Sequence, residues 1–320
     1  MATRRRELER LTVQYPEQFI GHKVIPTITR RWRSGKIWYR TIIPDASAVK
    51  GRAKGAVLGK VLISDTHFDY NTVSKEQRYA VPRQLSNNWD GAEARRRPTT
   101  DRAGARSAKR SVIRSMEGER AELILNTKTP DVDVGASFLK AIQKAKTAQH
   151  RVIGTSVFVC SQTVFDRIMA YQEVQDRFHN VVAASVKDRT VLNLQPVHLE
   201  TILDMPVLVG DDTIWKDASH LDTPGPVATA FADRAAVIKV PNFMVGSMPN
   251  IMETDLMEAP HTCVNVQEFP GDKGSPYMIE SYYDDDDKTY CYDATAYNQL
   301  KILNDQGIYL MEGIDDALSA

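Results

Sequence analysis

Apolar and polar side chains alternate at every second position in two stretches, GKIWYRTIIPD (35–45) and HFDYNTVSKEQRYAVP (67–82). That is the period of a strand with two unlike faces. Between them, ASAVKGRAKGAVLG (46–59) is rich in small residues, holds three glycines and shows no helical stripe. Lys50, Arg52, Lys54 and Lys60 make this segment basic. GKVLISDTHFDY (59–70) reads as the returning strand. The pattern predicts a long β-hairpin over 30–80 with a flexible basic tip. Such a ribbon has few bulky apolar residues of its own. It cannot bury a core alone and has to lie on something.

The period changes after residue 100. In DRAGARSAKRSVIRSMEGERAELILN (101–126), Ala105, Ala108, Val112, Met116 and Leu123 recur at helical spacing, and Ile113 and Ile124 widen the stripe. Thr99, Thr100 and Asp101 follow Pro98 and are good N-cap types. The helix would be ~37 Å long at 1.5 Å per residue, long for a compact domain. Downstream, SFLKAIQKAKTAQH (137–150) reads as an amphipathic helix and TSVFVC (155–160) as an apolar strand. SQTVFDRIMAYQEVQDRF (161–178) reads as one helix capped by Ser161. Strands are expected in TVLNLQPV (190–197), MPVLVGDD (205–212) and AAVIKVP (235–241). PYMIESYYDDDDKTYCYDATAYNQLKIL (276–303) reads as tyrosine-rich strands around an acidic turn, and GIYLM (307–311) as a last apolar segment. The first ~20 residues are polar, punctuated by Pro16 and Pro26, and read as an extended arm.

Charge sharpens this picture. Arg102, Arg106, Arg110 and Arg114 stand at i, i+4, i+8 and i+12 of the predicted long helix, with Lys109 beside them, and Glu117, Glu119 and Glu122 follow. This order is the reverse of what the helix dipole prefers, at ~0.3 kcal/mol per exposed misplacement, so external anions would readily outweigh it. A solvated face, a neighbouring subunit and a nucleic acid all fit such a row. Over 320 residues the chain has 41 Lys plus Arg and 41 Asp plus Glu, a formal charge of zero. A protein whose main task is gripping nucleic acid usually carries a basic excess. A neutral chain repels its own copies weakly. Cys160, Cys263 and Cys291 are scattered, with no Cys-x-x-Cys pair, and read as reduced thiols of a cytosolic compartment. No apolar run reaches the ~18 residues of a membrane span, and the charged start MATRRRELERL has no apolar core of a secretion signal.

Candidate chemistry is sparse. Asp65-x-His67 after Val61-Leu62-Ile63 has the look of a metal-dependent phosphoesterase opening, in which both side chains hold one divalent ion. The companions that such a site needs do not follow: Gly210-Asp211-Asp212 could serve as one block, while His22, His150, His179, His198, His220 and His261 fall in the wrong order or stand isolated. A strand ending in polar residues accounts for the motif equally well. There is no Gly-x-Ser-x-Gly elbow, no His-Glu-x-x-His and no Walker loop, since Gly51 to Gly55 lacks the Gly-Lys-Ser/Thr ending. Asp284, Asp285, Asp286 and Asp287 are adjacent, and calcium ligands are spaced. They read as a solvated turn or as a contact for a neighbour's basic groups.

The order of parts is the more telling feature. YPEQFIGHKVIPTITRRWRSGKIWYR (15–40), RSMEGERAELILN (114–126) and RVIGTSVFVCSQTVFDRIMAYQEVQDRF (151–178), followed by MPVLVGDDTIW and AAVIKVP, resemble the major capsid proteins of tailed bacteriophages, the Hong Kong 97-like fold, over most of the chain. The resemblance implies an α+β protein. It has an N-terminal arm at 1–29, an E-loop at 30–80 and a peripheral P-domain at 81–134 and 265–320, with a spine helix at about 101–126. An axial A-domain occupies 135–264. It further implies a virion protein, assembled in the host bacterial cytoplasm into hexamers and pentamers of an icosahedral shell around double-stranded DNA. Portal, scaffold and decoration proteins are its expected partners, with no membrane. No catalysis, cofactor or metal is expected. Arg102, Arg106, Arg110 and Arg114 would face the shell interior or another subunit. Lys50, Arg52, Lys54 and Lys60 at the E-loop tip, and Asp284 to Asp287 at the acidic turn, would touch neighbours. Some relatives cross-link through an E-loop lysine, but no partner for that chemistry is visible here. An encapsulin-type compartment, which shares the fold but encloses protein cargo, and the phosphoesterase are the competing readings.

Overall fold

The computed structural model describes residues 3–4, 19–40, 65–82, 97–126, 128–135, 137–150, 152–181, 196–215, 233–241, 251–258, 261–269 and 276–314. The elements in chain order begin with β1 (Thr3–Arg4), α1 (Gly21–Val24), β2 (Thr27–Arg30), β3 (Ser34–Arg40), β4 (Asp65–Asn71) and β5 (Val73–Pro82). The long helix α2 (Arg97–Leu125) and β6 (Val132–Asp133) follow. Next come α3 (Phe138–Ala148), β7 (Thr155–Ser161), α4 (Gln162–Ala170), α5 (Gln172–Val181), α6 (Pro196–Leu203), β8 (Val207–Gly210), α7 (Asp212–Trp215) and β9 (Ala235–Val240). The chain closes with α8 (Glu253–Glu258), β10 (Cys263–Glu268), β11 (Tyr277–Asp284), β12 (Thr289–Ile302) and β13 (Ile308–Glu312). Among the described residues, no helix is long and apolar enough to cross a membrane.

Two sheets share the long helix. In the first, the 14-residue β12 is the spine. Along one edge it pairs antiparallel with β5, from Val73↔Asn298 to Pro82↔Thr289. Along its other edge it takes β11 and then β10 end to end, and β2 joins β10 in parallel. The second sheet runs β6-β13-β9-β7-β8. Its strands are apolar on both faces, as a sheet covered on both sides requires. Val157, Val159, Ala236, Ile238, Ile308 and Leu310 point into the core shared with α2. Phe158, Cys160, Ala235, Val237, Tyr309 and Met311 point the other way, into a core closed by α3 to α6.

Several predicted elements stand as expected. Ser137 and Ser161 accept hydrogen bonds from the backbone N–H groups of Lys140 and Val164, capping α3 and α4. The Glu173 carboxylate on α5 also accepts the N–H groups of Phe138 and Leu139 at the start of α3. β7, β8 and β9 fall on the predicted apolar runs.

Other expectations are corrected. The ribbon ends at Asn71, because β3 pairs only with β4, from Ser34↔Asn71 to Arg40↔Asp65. Residues 73–82, read as its continuation, instead lie along β12. Period-two alternation identifies a strand but not its partner. The helix expected over 161–178 breaks at Tyr171, whose extended backbone (φ −63°, ψ 130°) lets its ring enter the second core edge-on to Phe138. Pro196 and Val197, expected in a strand, begin α6, where proline's fixed φ suits a first helical turn. The long helix starts at Arg97, with Pro98 inside its first turn rather than ahead of it. The last strand, β13, leaves the β12 sheet for the other one. The segment 265–320 is therefore divided between two sheets.

Candidate assembly surfaces

The root of the ribbon is fastened to its own chain. Ile37, Phe68 and Tyr70 on the inner face of β3–β4 pack with Leu256 of α8, with Val264 and Val266 of β10, and with Ile28 and Leu303. The Thr72 N–H and hydroxyl both donate to the carbonyl of Arg33, at 2.8 and 3.2 Å. The Asn71 N–H donates to Gln299 Oε1 at 2.7 Å. Arg33 stacks 4.1 Å above the centroid of the Tyr297 ring and pairs with Glu268 at 3.4 Å. The support that the sequence demanded for the ribbon is thus met, at the root, within one subunit.

The outer face of the ribbon is a ladder of complementary cross-strand positions. Lys36 stands opposite Asp69, Trp38 opposite His67 and Arg40 opposite Asp65. The Trp38 and His67 rings lie 4.8 Å apart, and Trp38 and nearby Trp32 are exposed. The Asp65-x-His67 spacing is that of one strand face, and each residue has a cross-strand position to match. Among the described residues, no three His, Cys, Asp or Glu side chains gather as a metal would require. The thiol of Cys160 is driven upward by burial, then by Asp166 and Asp212, and burial pushes Cys263 up to about 12. Such thiols stay protonated and unreactive.

The four predicted arginines share the open side of the N-terminal half of α2, and all are exposed. Steps of four residues rotate the row by about 40° each, and the open sector is wide enough to keep all four outside. Beneath them Ala105, Ala108, Val112, Ile113 and Met116 are buried, as the stripe predicted. Lys109, counted with the arginines, turns inward instead, with its Nζ 4.6 Å above the centroid of the Tyr277 ring. Arg114 ends the row by donating to Thr213 Oγ1 at 2.7 Å, where α7 begins to cover the helix. Asp284 to Asp287 close the β11–β12 hairpin. Asp284 Oδ1 accepts from the N–H groups of Asp286 and Asp287, and Lys288 takes a left-handed φ of 50°. Asp285, Asp286 and Asp287 are exposed. Lys50, Arg52, Lys54 and Lys60 lie outside the described residues.

Sequence reasoning missed a buried polar joint in the C-terminal half of α2. Glu117 is fully buried, and its Oε1 accepts from the Gly21 N–H at 2.6 Å and from Trp215 Nε1 at 3.1 Å. Its Oε2 pairs with the buried Arg120 at 3.5 Å. One carboxylate therefore ties together the start of α1, the long helix and the end of α7. A Cβ on Gly21 would stand 2.7 Å from Arg120 Cβ, so the close approach needs glycine there. His22 next door is held down to about 4, by burial first and then by the charges of Arg120 and Lys23. The available signal was the charged Glu-Gly-Glu-Arg run (117–120) inside an otherwise apolar helix end. Glu119, in the same run, faces the sheet, where it pairs with Lys75 and accepts from Asn298 Nδ2 at 3.4 Å.

No family model matches this sequence, and no curated protein matches it. A solved structure shares its fold. The chain is similar to a phage-related protein from Bordetella bronchiseptica RB50, with 16% identity and a TM-score of 0.62 over 98% of this chain and 97% of that one. It is also similar to the mature capsid subunit of bacteriophage PhiM1, with 10% identity and a TM-score of 0.47 over 94% and 88% of the two chains. The holo-SrpI encapsulin of Synechococcus elongatus PCC 7942 shows 10% identity and a TM-score of 0.48 over 98% and 95%. The chain has the fold of the Bordetella phage-related protein nearly from end to end, and phage capsid proteins are among the solved structures it resembles.

Proposed function

We propose that this chain is a shell-forming subunit, the major capsid protein of a tailed bacteriophage head. In this reading it assembles into hexamers and pentamers around double-stranded DNA, together with portal and scaffold proteins, and performs no catalysis. The observation that carries the reading is the division of the chain into self-sufficient and outward-reaching parts. Two large cores are completed within one subunit around α2 and the five-stranded sheet. The ribbon, by contrast, has a root of only seven residues per strand, and the chain between Arg40 and Asp65 is basic and glycine-rich. The ribbon presents exposed tryptophan, with charged residues at facing strand positions, to whatever lies beside it. Neutral net charge suits close packing of many identical copies.

Negative-stain electron microscopy and sedimentation of the expressed protein test the reading. Closed shells of uniform size, with five- and six-fold clusters, are the expected result. Deleting residues 46–59 should leave a folded subunit that does not close shells. A tight monomer at every concentration would overturn the proposal. Shells filled with protein cargo rather than DNA would replace it with the encapsulin-type compartment.

A further inference from the structure

We propose that the arginine row on α2 of one copy receives the Asp284–Asp287 turn of a second copy, an ionic contact between two different surfaces. The proposal rests on the shell-forming reading and names the partner of its cationic face. Arg102, Arg106 and Arg110 are exposed, and among the described residues they engage no carboxylate. Asp285, Asp286 and Asp287 are exposed too, and among the described residues no cation pairs with them. The turn carries four carboxylates and one ammonium, that of Lys288.

The two patches lie at the same end of the molecule. Gly104 abuts Tyr292 and Glu119 meets Asn298, so α2 and β12 run in the same direction. At about 3.3 Å per strand residue, the turn that precedes β12 lies past the N-terminal end of the helix, roughly 17–23 Å beyond the level of Gly104. The patches nevertheless do not meet within one chain. The helix lays its apolar face on the sheet and turns the arginines outward, while the turn projects from the end of the sheet. A second copy brings them together. Arg102 to Arg110 span roughly 12 Å along the helix. A hairpin end whose strands are about 5 Å apart spreads its carboxylates over a comparable width.

DNA is the other polyanion that could sit on the row. A second copy is favoured because the same chain carries both patches, each exposed and, among the described residues, without an ion pair to the other sign. A protein partner bearing this same turn uses both patches. The contact joins two different surfaces, and it builds a ring only where the rotation between successive copies closes.

The test is a charge swap. Arg106→Glu/Arg110→Glu and, separately, Asp285→Lys/Asp286→Lys/Asp287→Lys should each lower the yield of sedimenting particles at least about tenfold, with the far-UV spectrum of the subunit unchanged. The five substitutions combined in one chain should restore the yield to within about threefold of wild type. The milder pairing of Arg106→Gln/Arg110→Gln with three Asp→Asn changes should show the same losses at smaller amplitude, and serves where reversal unfolds the chain. Normal particles from either set alone, or no rescue in the combination, overturns the contact while leaving shell formation by the wild type intact. Particles of the arginine variant that assemble normally but retain less DNA, with the aspartate variant unaffected, would assign the row to nucleic acid instead. Failure of the wild type to assemble removes the proposal together with the reading on which it rests.

Discussion

At the residue scale, the joint around Glu117 concentrates the most consequence in the fewest atoms. A fully buried carboxylate is tolerable because two N–H donors and a buried guanidinium surround it. Glu117→Ala leaves Arg120 buried without its counter-charge and should cost ~3–5 kcal/mol, measured by urea unfolding followed through tryptophan fluorescence. Glu117→Gln keeps an oxygen for Gly21 and Trp215 and should cost clearly less. His22 supplies a pH signature. Its folded pKa of about 4 lies below the ordinary 6.5, so the unfolded chain binds its proton more readily. The His22 contribution to stability is complete above pH 6.5, declines as pH falls, and is lost by pH 4. The total is on the order of 3 kcal/mol for a shift of this size. His22→Gln should flatten the stability curve across that window; an unchanged slope would contradict a neutral, buried imidazole. None of this was legible in the sequence. Gly21-His22 and Glu117 are 96 positions apart, and nothing local announces that they meet.

At the element scale, the long helix was the most readable part of the chain. Its apolar stripe, from Ala105 through Ile124, is the set that the structure buries. Its exposed arginines were readable for the same reason, since a 3.6-residue period sorts one side of a cylinder from the other. The stripe does not say how closely the neighbour approaches. At Gly104 the sheet comes so near that an added Cβ would meet the ring of Tyr292. In an open helix, Gly→Ala would stabilise by ~1 kcal/mol. Here Gly104→Ala should instead destabilise by about 1–2 kcal/mol, because the overpacking cost of ~1–3 kcal/mol exceeds the gain in propensity. Adding Tyr292→Ala should cancel that effect, and thermal unfolding of the two single variants and the double variant gives the coupling. The strands were readable as strands but not as pairs. β4 and β5 are separated only by Thr72 and carry the same alternation, yet one pairs with β3 and the other with β12.

At the scale of the whole molecule, the described chain is two sheets built around one helix, with the β3–β4 ribbon packed on the β10–α8 side. β13, near the end of the described chain, lies beside β6 from its middle in the five-stranded sheet, and β1, at its start, reaches the edge of β11 in the other. A deletion at either end therefore acts on a sheet rather than on a tail. The order of parts in the sequence pointed to this architecture and to the shell reading, whereas the ribbon boundary, the break at Tyr171 and the crossing of β13 did not follow from it.

By itself, the sequence determined the long helix and the most apolar strands, which side of α2 is apolar, where the acidic turn falls, and that charge is balanced overall. These follow from local period, turn chemistry and composition, which act over a few residues. The tertiary structure alone decided which strands pair, that Asp65 and His67 belong to a cross-strand ladder, that Lys109 turns inward while its neighbouring arginines do not, and that Glu117 is a buried joint. Those outcomes depend on which surfaces meet across tens or hundreds of residues, and no local period encodes a partner.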